Sequence, residues 1–440
     1  VNNVEEISMG NIHLHWFRND LRLADAAALS DVQKADFFLP VYILDPRMYA
    51  QHALGFPKVG FYKMKFLLEC LQDLHRQLNQ KGSRLLVFTG YPEQILPELA
   101  NRFGKLKLTA TKEYTFEELA VEEELQKAGV VISYHHDLTL MHPEDLPFPV
   151  AKTPDIFTQF RKAVEQYSNV RTPRPTPEWL PPIPEGMPIA DIPSLAQLGM
   201  LDKVIDKGLS FTGGTSAGLE RIQHYFFETK SLSTYKETRN GLLGMDYSSK
   251  LSPWLSTGAL SARMLWAKVK EYEAEVEAND STYWLIFELL WRDYFKYVSM
   301  KYGNKIFLKS GIRGKAMETK NNIITFRKWC QGQTGNDFVD ANMLELLHTG
   351  FMSNRGRQNA ASYLCKDLQI DWTWGAAWFE SQLIDYDPAS NWGNWMYIAG
   401  VGNDPREGRY FNTNRQAEMY DSDRSYRNYW IENQLIKTTR

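Results

Sequence analysis

Residues 385–395 read DYDPASNWGNW. Two carboxylates flank one aromatic, an Asn sits among small residues, and two tryptophans follow three residues apart. Asp385 and Asp387 can accept hydrogen bonds from ring or amide N–H groups, and Asn391 can donate and accept together, as an amide or a heterocyclic nitrogen requires. The plain alternative is a surface Asx-turn with both carboxylates in water. Against it stands the density of Trp372, Trp374, Trp378, Trp392 and Trp395, although a stripe of aromatics more often builds core than lines a cofactor site.

Three more constellations carry chemistry. NRGRQNAASYLCKDL puts Asn354, Arg355, Arg357 and Gln358 at a helix start, where a cation opposes the helix dipole unless an anion compensates. Asp385 is a suitable partner for Arg357 in a planar, bidentate fork; the alternative is a solvated basic turn. Downstream of Tyr235, Ser248, Ser249 and Ser252 place hydroxyls and amides just before a helix start. That arrangement binds anions, a diphosphate among them, or is an ordinary Ser-capped helix. Glu288 and Trp291, in FELLWRDYF, are three apart and share a helix face. A carboxylate beside a flat ring suits a base-like heterocycle; the alternative is a core Trp and a structural ion pair. No G-x-G-x-x-G follows the first strand and no Walker loop is present. His135 and His136 lack a third ligand, so no metal site is expected.

The elements that position these residues divide the chain. IHLHWF, DFFLPVYIL, SRLLVFTG, LKLTAT and VVISYHH are short runs rich in β-branched and aromatic residues. Between the second and third, Phe61, Met64, Leu67, Leu68, Leu71, Leu74 and Leu78 recur at three and four residues, a helical stripe. PEQILPELANRFG and TFEELAVEEELQKAG are shorter helices. Strands alternating with helices predict a doubly wound parallel sheet, Rossmann-like, over residues 10–137. Residues 138–213 form a connector: 12 of the 20 prolines fall between Pro143 and Pro193, and RTPRPTPEWLPPIPEG cannot sustain a helix. We read it as a long linker over the surface. From 214 to 440 the pattern is helical, a bundle with short connections. STYWLIFELLWRDYFKYVSMKY is apolar nearly all round, so it belongs at the centre, and its Glu288, Arg292 and Asp293 need partners or a ligand.

The 440 residues suffice for two or three domains. The aromatic share of 13% lets the chain fill a core and still line a pocket with rings. A net charge of −3 gives nucleic-acid binding no global support, so such binding would rest on a local basic patch. Cys70, Cys330 and Cys365 are far apart and odd in number, which points to reduced thiols and a cytoplasmic protein. No apolar run reaches the roughly 18 residues of a membrane span, and the opening VNNVEEISMG is acidic and polar, unlike a signal peptide.

Together the motifs resemble the photolyase/cryptochrome family, and within it the DASH cryptochromes. WFRNDLRL, SSKLSPWLSTG, ELLWRDYF, DANMLELLHTGFMSNRGRQNAASYL, DWTWGAAWFESQLIDYDPASNWGNWMY and GVGNDPREGRYFN follow in family order over most of the chain. The resemblance implies an α/β domain beside a helical domain that holds FAD. It also implies blue-light-driven repair of cyclobutane pyrimidine dimers by an electron from excited reduced flavin. Tyr235, Ser248, Ser249, Lys250, Leu251 and Ser252 match the diphosphate-binding stretch. Arg357 and Asp385 match the ion pair beside the flavin ring, Asp387 a ring-edge and ribose contact, and Asn354 a further cofactor-side polar group. Asn391 matches the residue facing flavin N5. Glu288 and Trp291 match the dimer-binding carboxylate and aromatic, and Trp395 and Trp372 the inner steps of a tryptophan chain that photoreduces the flavin. Gln358 and Tyr397 stand where duplex-repairing bacterial enzymes usually have Met and Trp. Single-stranded DNA is therefore the expected partner of an expected monomer, since it needs no unpairing. A methenyltetrahydrofolate antenna is common in the branch, with Glu118 the matching residue. The chain departs from the family at ADAAAL, residues 24–29, which lacks the usual Asp-Asn-Pro. It also has no Trp or Tyr in IRGKAMETKNNIIT, where the outermost tryptophan normally lies. Two other readings compete: a flavin photoreceptor with little or no repair, and a two-domain electron-transfer flavoprotein.

Overall fold

A computed structural model describes residues 10–103, 106–188, 191–200, 210–315, 317–406 and 409–438. Five strands, β1 Ile12–Phe17, β2 Phe37–Leu44, β3 Leu86–Thr89, β4 Leu106–Thr111 and β5 Ile132–His135, pair in the order β3-β2-β1-β4-β5. Every pairing is parallel, with Ile12 opposite Phe37 on one side and Leu106 on the other. All six residues of β1 are buried, as a strand covered on both faces requires. Its two histidines survive burial through hydrogen bonds: Thr109 Oγ1 meets His13 Nε2 at 2.9 Å and His15 Nδ1 at 3.0 Å, and Asp20 takes His15 Nε2 at 3.0 Å. Helices α1 Phe61–Gln80, α2 Pro92–Phe103 and α3 Phe116–Lys127 connect the strands. The predicted stripe of α1 is its inward face: Met64, Leu68, Leu71, Leu74 and Leu78 are buried, and Phe61 and Leu67 pack at its margin.

The connector is more structured than a surface linker. Residues 155–170 are free of proline, and there helix α4 Phe157–Tyr167 forms and buries Phe157, Phe160 and Val164. The proline-rich stretch 171–186 has no helix or strand, as expected. Connector residues 189–190 and 201–209 lie outside the described residues.

The second half is helical: α5 Thr215–Ile222, α6 Tyr235–Thr238, α7 Ser252–Ser256, α8 Ala262–Glu275, α9 Asp280–Tyr302, α10 Ile323–Cys330, α11 Asp337–Thr349, α12 Asn354–Ser362, α13 Trp372–Gln382, α14 Pro388–Ala399, α15 Thr413–Tyr420 and α16 Ser425–Thr438. The central helix is α9. It opens on a capping box in which Asn279 accepts from the amides of Ser281 and Thr282. Its buried charges have the partners their burial demands. Asp293 accepts the amides of Leu140 and Met141 at 2.9 and 2.8 Å, and Arg292 donates to the carbonyls of Leu138 and Leu255.

The sheet unit and the helices share a buried charge network. Arg263, from α8, donates to Asp25 at 2.9 Å and to Asp137 at 2.7 Å, and Arg22 reaches the carbonyl of Gly258 at 2.9 Å. All four side chains are buried. Asp25 lies in ADAAAL with a left-handed φ of 51°, and Ser261 Oγ donates to it at 2.6 Å. The departure from the family pattern at that turn is thus anchored from the other half of the chain.

Candidate flavin cleft

Asn354, Arg357, Asp385, Asp387, Asn391 and Trp395 line one open cleft. Gln358 lines it too. Helices α12, α13 and α14 supply the walls. The DYDPASNWGNW stretch is the turn into α14: Asp387 is the N-cap, accepting the amide of Ser390 at 2.8 Å, and Pro388 fills the first turn. The aromatic surface belongs to the helix that follows. Trp395 is buried at the cleft wall, with Phe379 at 5.0 Å and Trp329 at 6.2 Å between centroids.

Arg357 and Asp385 pair, but not as a bidentate fork. Arg357 Nη2 donates to Asp385 Oδ2 at 2.7 Å, while its Nε is taken by the carbonyl of Met352 at 2.9 Å. Ser252 Oγ donates to the same Asp385 oxygen at 2.6 Å. The helix that Ser252 begins has no side-chain cap, so the hydroxyl serves the cleft carboxylate and the simple capped-helix reading does not hold. Asp385 Oδ1 is buried without a partner. Asp387 also pairs with Lys296 of α9 at 2.5 Å. Burial alone would raise its pKa, yet Lys296 and Arg292 hold it well below the usual carboxylate range. Asn391 is oriented by donation from Nδ2 to the carbonyl of Ala376 at 3.0 Å.

Ser248, Ser249, Lys250 and Leu251 precede Ser252 on a loop fastened by Arg221, which donates to the carbonyls of Met245, Ser248 and Ser249. Lys250 has a left-handed φ of 53°. Its buried ammonium makes no hydrogen bond and rests over the Tyr247 ring at 3.2 Å, and burial pushes its pKa down to about 7. Tyr235 is buried at the start of α6.

Glu288 and Trp291 lie on α9. Glu288 pairs with Arg239 at 2.5 Å; burial raises its pKa and Arg239 opposes the rise. Trp291 meets Tyr397 of α14 edge-on at 6.0 Å, and Arg409 donates to the Tyr397 hydroxyl at 3.1 Å. Gln358 accepts from Arg355 at 3.0 Å. Arg239, Arg355 and Arg409 thus contact Glu288, Gln358 and Tyr397 in turn, and Arg409 is also paired with the buried Asp404.

Tyr235, Ser248 to Leu251, Glu288, Trp291 and Tyr397 are not among the residues that line the cleft, nor are Trp372 and Glu118. Trp372 is wholly buried, its indole donating to the carbonyl of Lys309 at 3.0 Å and its ring 5.7 Å from Trp392. Glu118 is on α3, held by the Thr115 hydroxyl. Sequence reasoning passed over Arg221, Arg239, Lys296 and Arg409. Lys296 had a signal, being one more charge on an almost wholly apolar helix; Arg221 and Arg239 have partners too distant in sequence for any spacing rule.

The cleft suits a flavin nucleotide. The orphaned Asp385 oxygen is an acceptor for a ring N–H, Asn391 offers an amide, and a left-handed turn leads from Lys250 to Ser252. Among the described residues no group of three His, Cys, Asp or Glu side chains could hold a metal ion, and no helix is long and apolar enough to cross a membrane.

Comparison with known proteins agrees with this geometry. Residues 13–181 match the DNA photolyase family model, and residues 284–436 match the FAD binding domain of DNA photolyase. A cryptochrome DASH of Gloeobacter violaceus is 48% identical, over 95% of this chain and 85% of its own. The crystal structure of a Synechocystis cryptochrome superimposes with a TM-score of 0.91 at 46% identity, covering 96% of this chain and 89% of that one. A class III photolyase from Agrobacterium tumefaciens superimposes at 0.82 with 27% identity, covering 98% and 88%. An Asp–Arg–Ser cluster at the mouth of an aromatic cleft, in a fold shared along nearly the whole chain, makes this protein a member of the photolyase/cryptochrome family, with that family's FAD-binding domain and relatives among the DASH cryptochromes.

Proposed function

We propose that the protein repairs cyclobutane pyrimidine dimers in DNA under blue light, with single-stranded DNA preferred. The observation that carries this reading is the placement of Glu288 and Trp291 one turn apart on α9, with Arg239 on the carboxylate and Tyr397 against the indole. FAD, when bound, supplies the light-driven electron that splits the dimer. The protein's part is to bind, orient and exclude water. Asp385, held by Arg357 and Ser252, accepts from the flavin ring; Asn354 and Asp387 line the cofactor's edge; Asn391 presents an uncharged amide, which favours the reduced, anionic ring over what a carboxylate would allow. Tyr235 and residues 248–252 flank the diphosphate. Trp395 at the cleft wall and Trp372, edge-on to Trp392, serve photoreduction. Glu288 receives base N–H groups, Trp291 stacks on the extruded dinucleotide, and Arg239, Arg355 and Arg409 meet phosphates. Gln358 and Tyr397 form a smaller wedge than Met and Trp would, which favours a strand that is already unpaired. Glu118 is the antenna residue for methenyltetrahydrofolate in this reading, acting in a monomeric cytoplasmic protein of residues 10–137, 138–213 and 214–440.

A second reading, a flavin photoreceptor with little or no repair, is favoured by the cryptochrome names of the relatives. One experiment separates the two. Reduced, flavin-loaded protein is illuminated with oligothymidylate carrying a dimer, single-stranded or annealed. Recovery of thymine absorbance in the single strand alone is expected. Equal repair of the duplex removes the strand preference, and no repair of either, with normal flavin absorbance, leaves the photoreceptor.

A further inference from the structure

The ring that meets Trp291 most closely comes from the connector. Phe157, the first residue of α4, stacks on the Trp291 indole with centroids 3.7 Å apart and planes 12° from parallel. No other ring pair among the described residues is as close. Phe157 is buried, whereas Trp291 is half-exposed. Edge contacts to Phe287 at 5.2 Å and Tyr294 at 5.6 Å hold the Phe157 ring against α9.

The chain two residues earlier is pinned from both walls of the substrate site. The carbonyl of Asp155 accepts the Tyr294 hydroxyl at 2.5 Å and Asn403 Nδ2 at 3.0 Å. Its carboxylate accepts Lys301 at 2.7 Å and the Tyr302 hydroxyl at 2.5 Å. Tyr294, Lys301 and Tyr302 belong to α9, and Asn403 lies just past the end of α14, the helix of Tyr397. Trp291 is thus gripped on one face by Phe157 and at its edge by Tyr397, at an interplanar angle of 85°. A core Phe would fill space against α9 without a parallel stack on the one half-exposed indole of the site.

We propose that Phe157 is a positioning residue for Trp291: it fixes the tilt at which the indole meets an extruded pyrimidine dimer, so that ring stacking and the Glu288 hydrogen bonds form together. This rests on the dimer-binding role given to Trp291 above. The test uses the full-length, flavin-loaded protein, wild type and Phe157→Leu, with a fluorescent oligothymidylate carrying one dimer and the same strand undamaged. An ordered aromatic stack is worth enough that its loss should weaken dimer binding about five-fold. Affinity for the undamaged strand, flavin absorbance and the repair yield at saturating strand should not change. An unchanged ratio of damaged to undamaged affinity overturns the proposal. If Phe157→Leu and the longer, more flexible Phe157→Met both shed their flavin, Phe157 is a general core residue and the proposal is again overturned. A wild-type protein that does not discriminate the damaged strand fails at the parent reading instead, which separates the two failures.

Discussion

Replacing Asp385 by Asn changes the charge of one buried group while nearly conserving its shape. In the ligand-free protein two effects oppose. The bonds from Ser252 and Arg357, at 2.6 and 2.7 Å, lose their ionic assistance, and a neutral acceptor is roughly half as strong. Against this, the unpartnered position now holds a neutral amide NH2 in place of an ionised oxygen, and a neutral orphan costs less to bury than a charged one, by about 1–3 kcal/mol. The net change in ligand-free stability should fall within about 1 kcal/mol. Binding FAD breaks this balance. If Oδ1 accepts a ring N–H, the Asn amide must turn either a donor toward that N–H or a donor toward Ser252 and Arg357. Either choice loses a charge-assisted bond and faces donor against donor, about 2–3 kcal/mol, or about 30- to 150-fold in affinity. The assay is titration of the flavin-free variant with FAD by fluorescence quenching, beside urea unfolding of the same sample. FAD affinity within about three-fold of wild type, together with a clear loss of ligand-free stability, would refute the reasoning and make Asp385 a purely structural anion.

Glu288→Ala should keep its flavin and lose about ten-fold or more in affinity for a dimer-bearing strand, since a half-buried acceptor for base N–H groups is gone; a filter-binding series on damaged and undamaged strands checks this, and full affinity would take Glu288 out of the site. His13 carries a pH dependence: burial pushes it down to about 3 from 6.5. Above pH 6.5 both folded and unfolded chains leave it neutral; as pH falls from there toward 3 only the unfolded chain takes the proton, so stability is lost. Urea unfolding between pH 7 and pH 4.5 should show His13→Gln losing about 1.4 kcal/mol less per pH unit than wild type below pH 6; parallel slopes would contradict the assignment.

What the sequence revealed follows from how locally each feature is encoded. The strands and α1 were legible because burial on a sheet or a helix face imposes a period, and Met64 through Leu78 keep it. Helix α4 was hidden because its surroundings are rich in proline, and only the proline-free window around Phe157 marks it. In the cleft, Asp385 and Arg357 were found as types suited to each other, but the single bond between them depends on Met352 occupying Nε, which no pattern of types conveys. Arg239 and Glu288, 49 residues apart, meet only because α6 packs on α9. Contacts set by tertiary packing leave no spacing to read.

The Asp25–Arg263–Asp137 network bears on whether the protein can be taken apart. Removing one side of a buried ion cluster costs more than the cluster contributes when whole. Neither half keeps the cluster when taken alone: separation breaks the Arg263 pairs with Asp25 and Asp137 and turns their charges toward solvent. A protease cut within the proline-rich stretch would sever the backbone and leave the fragments clasped, behaving as a single particle.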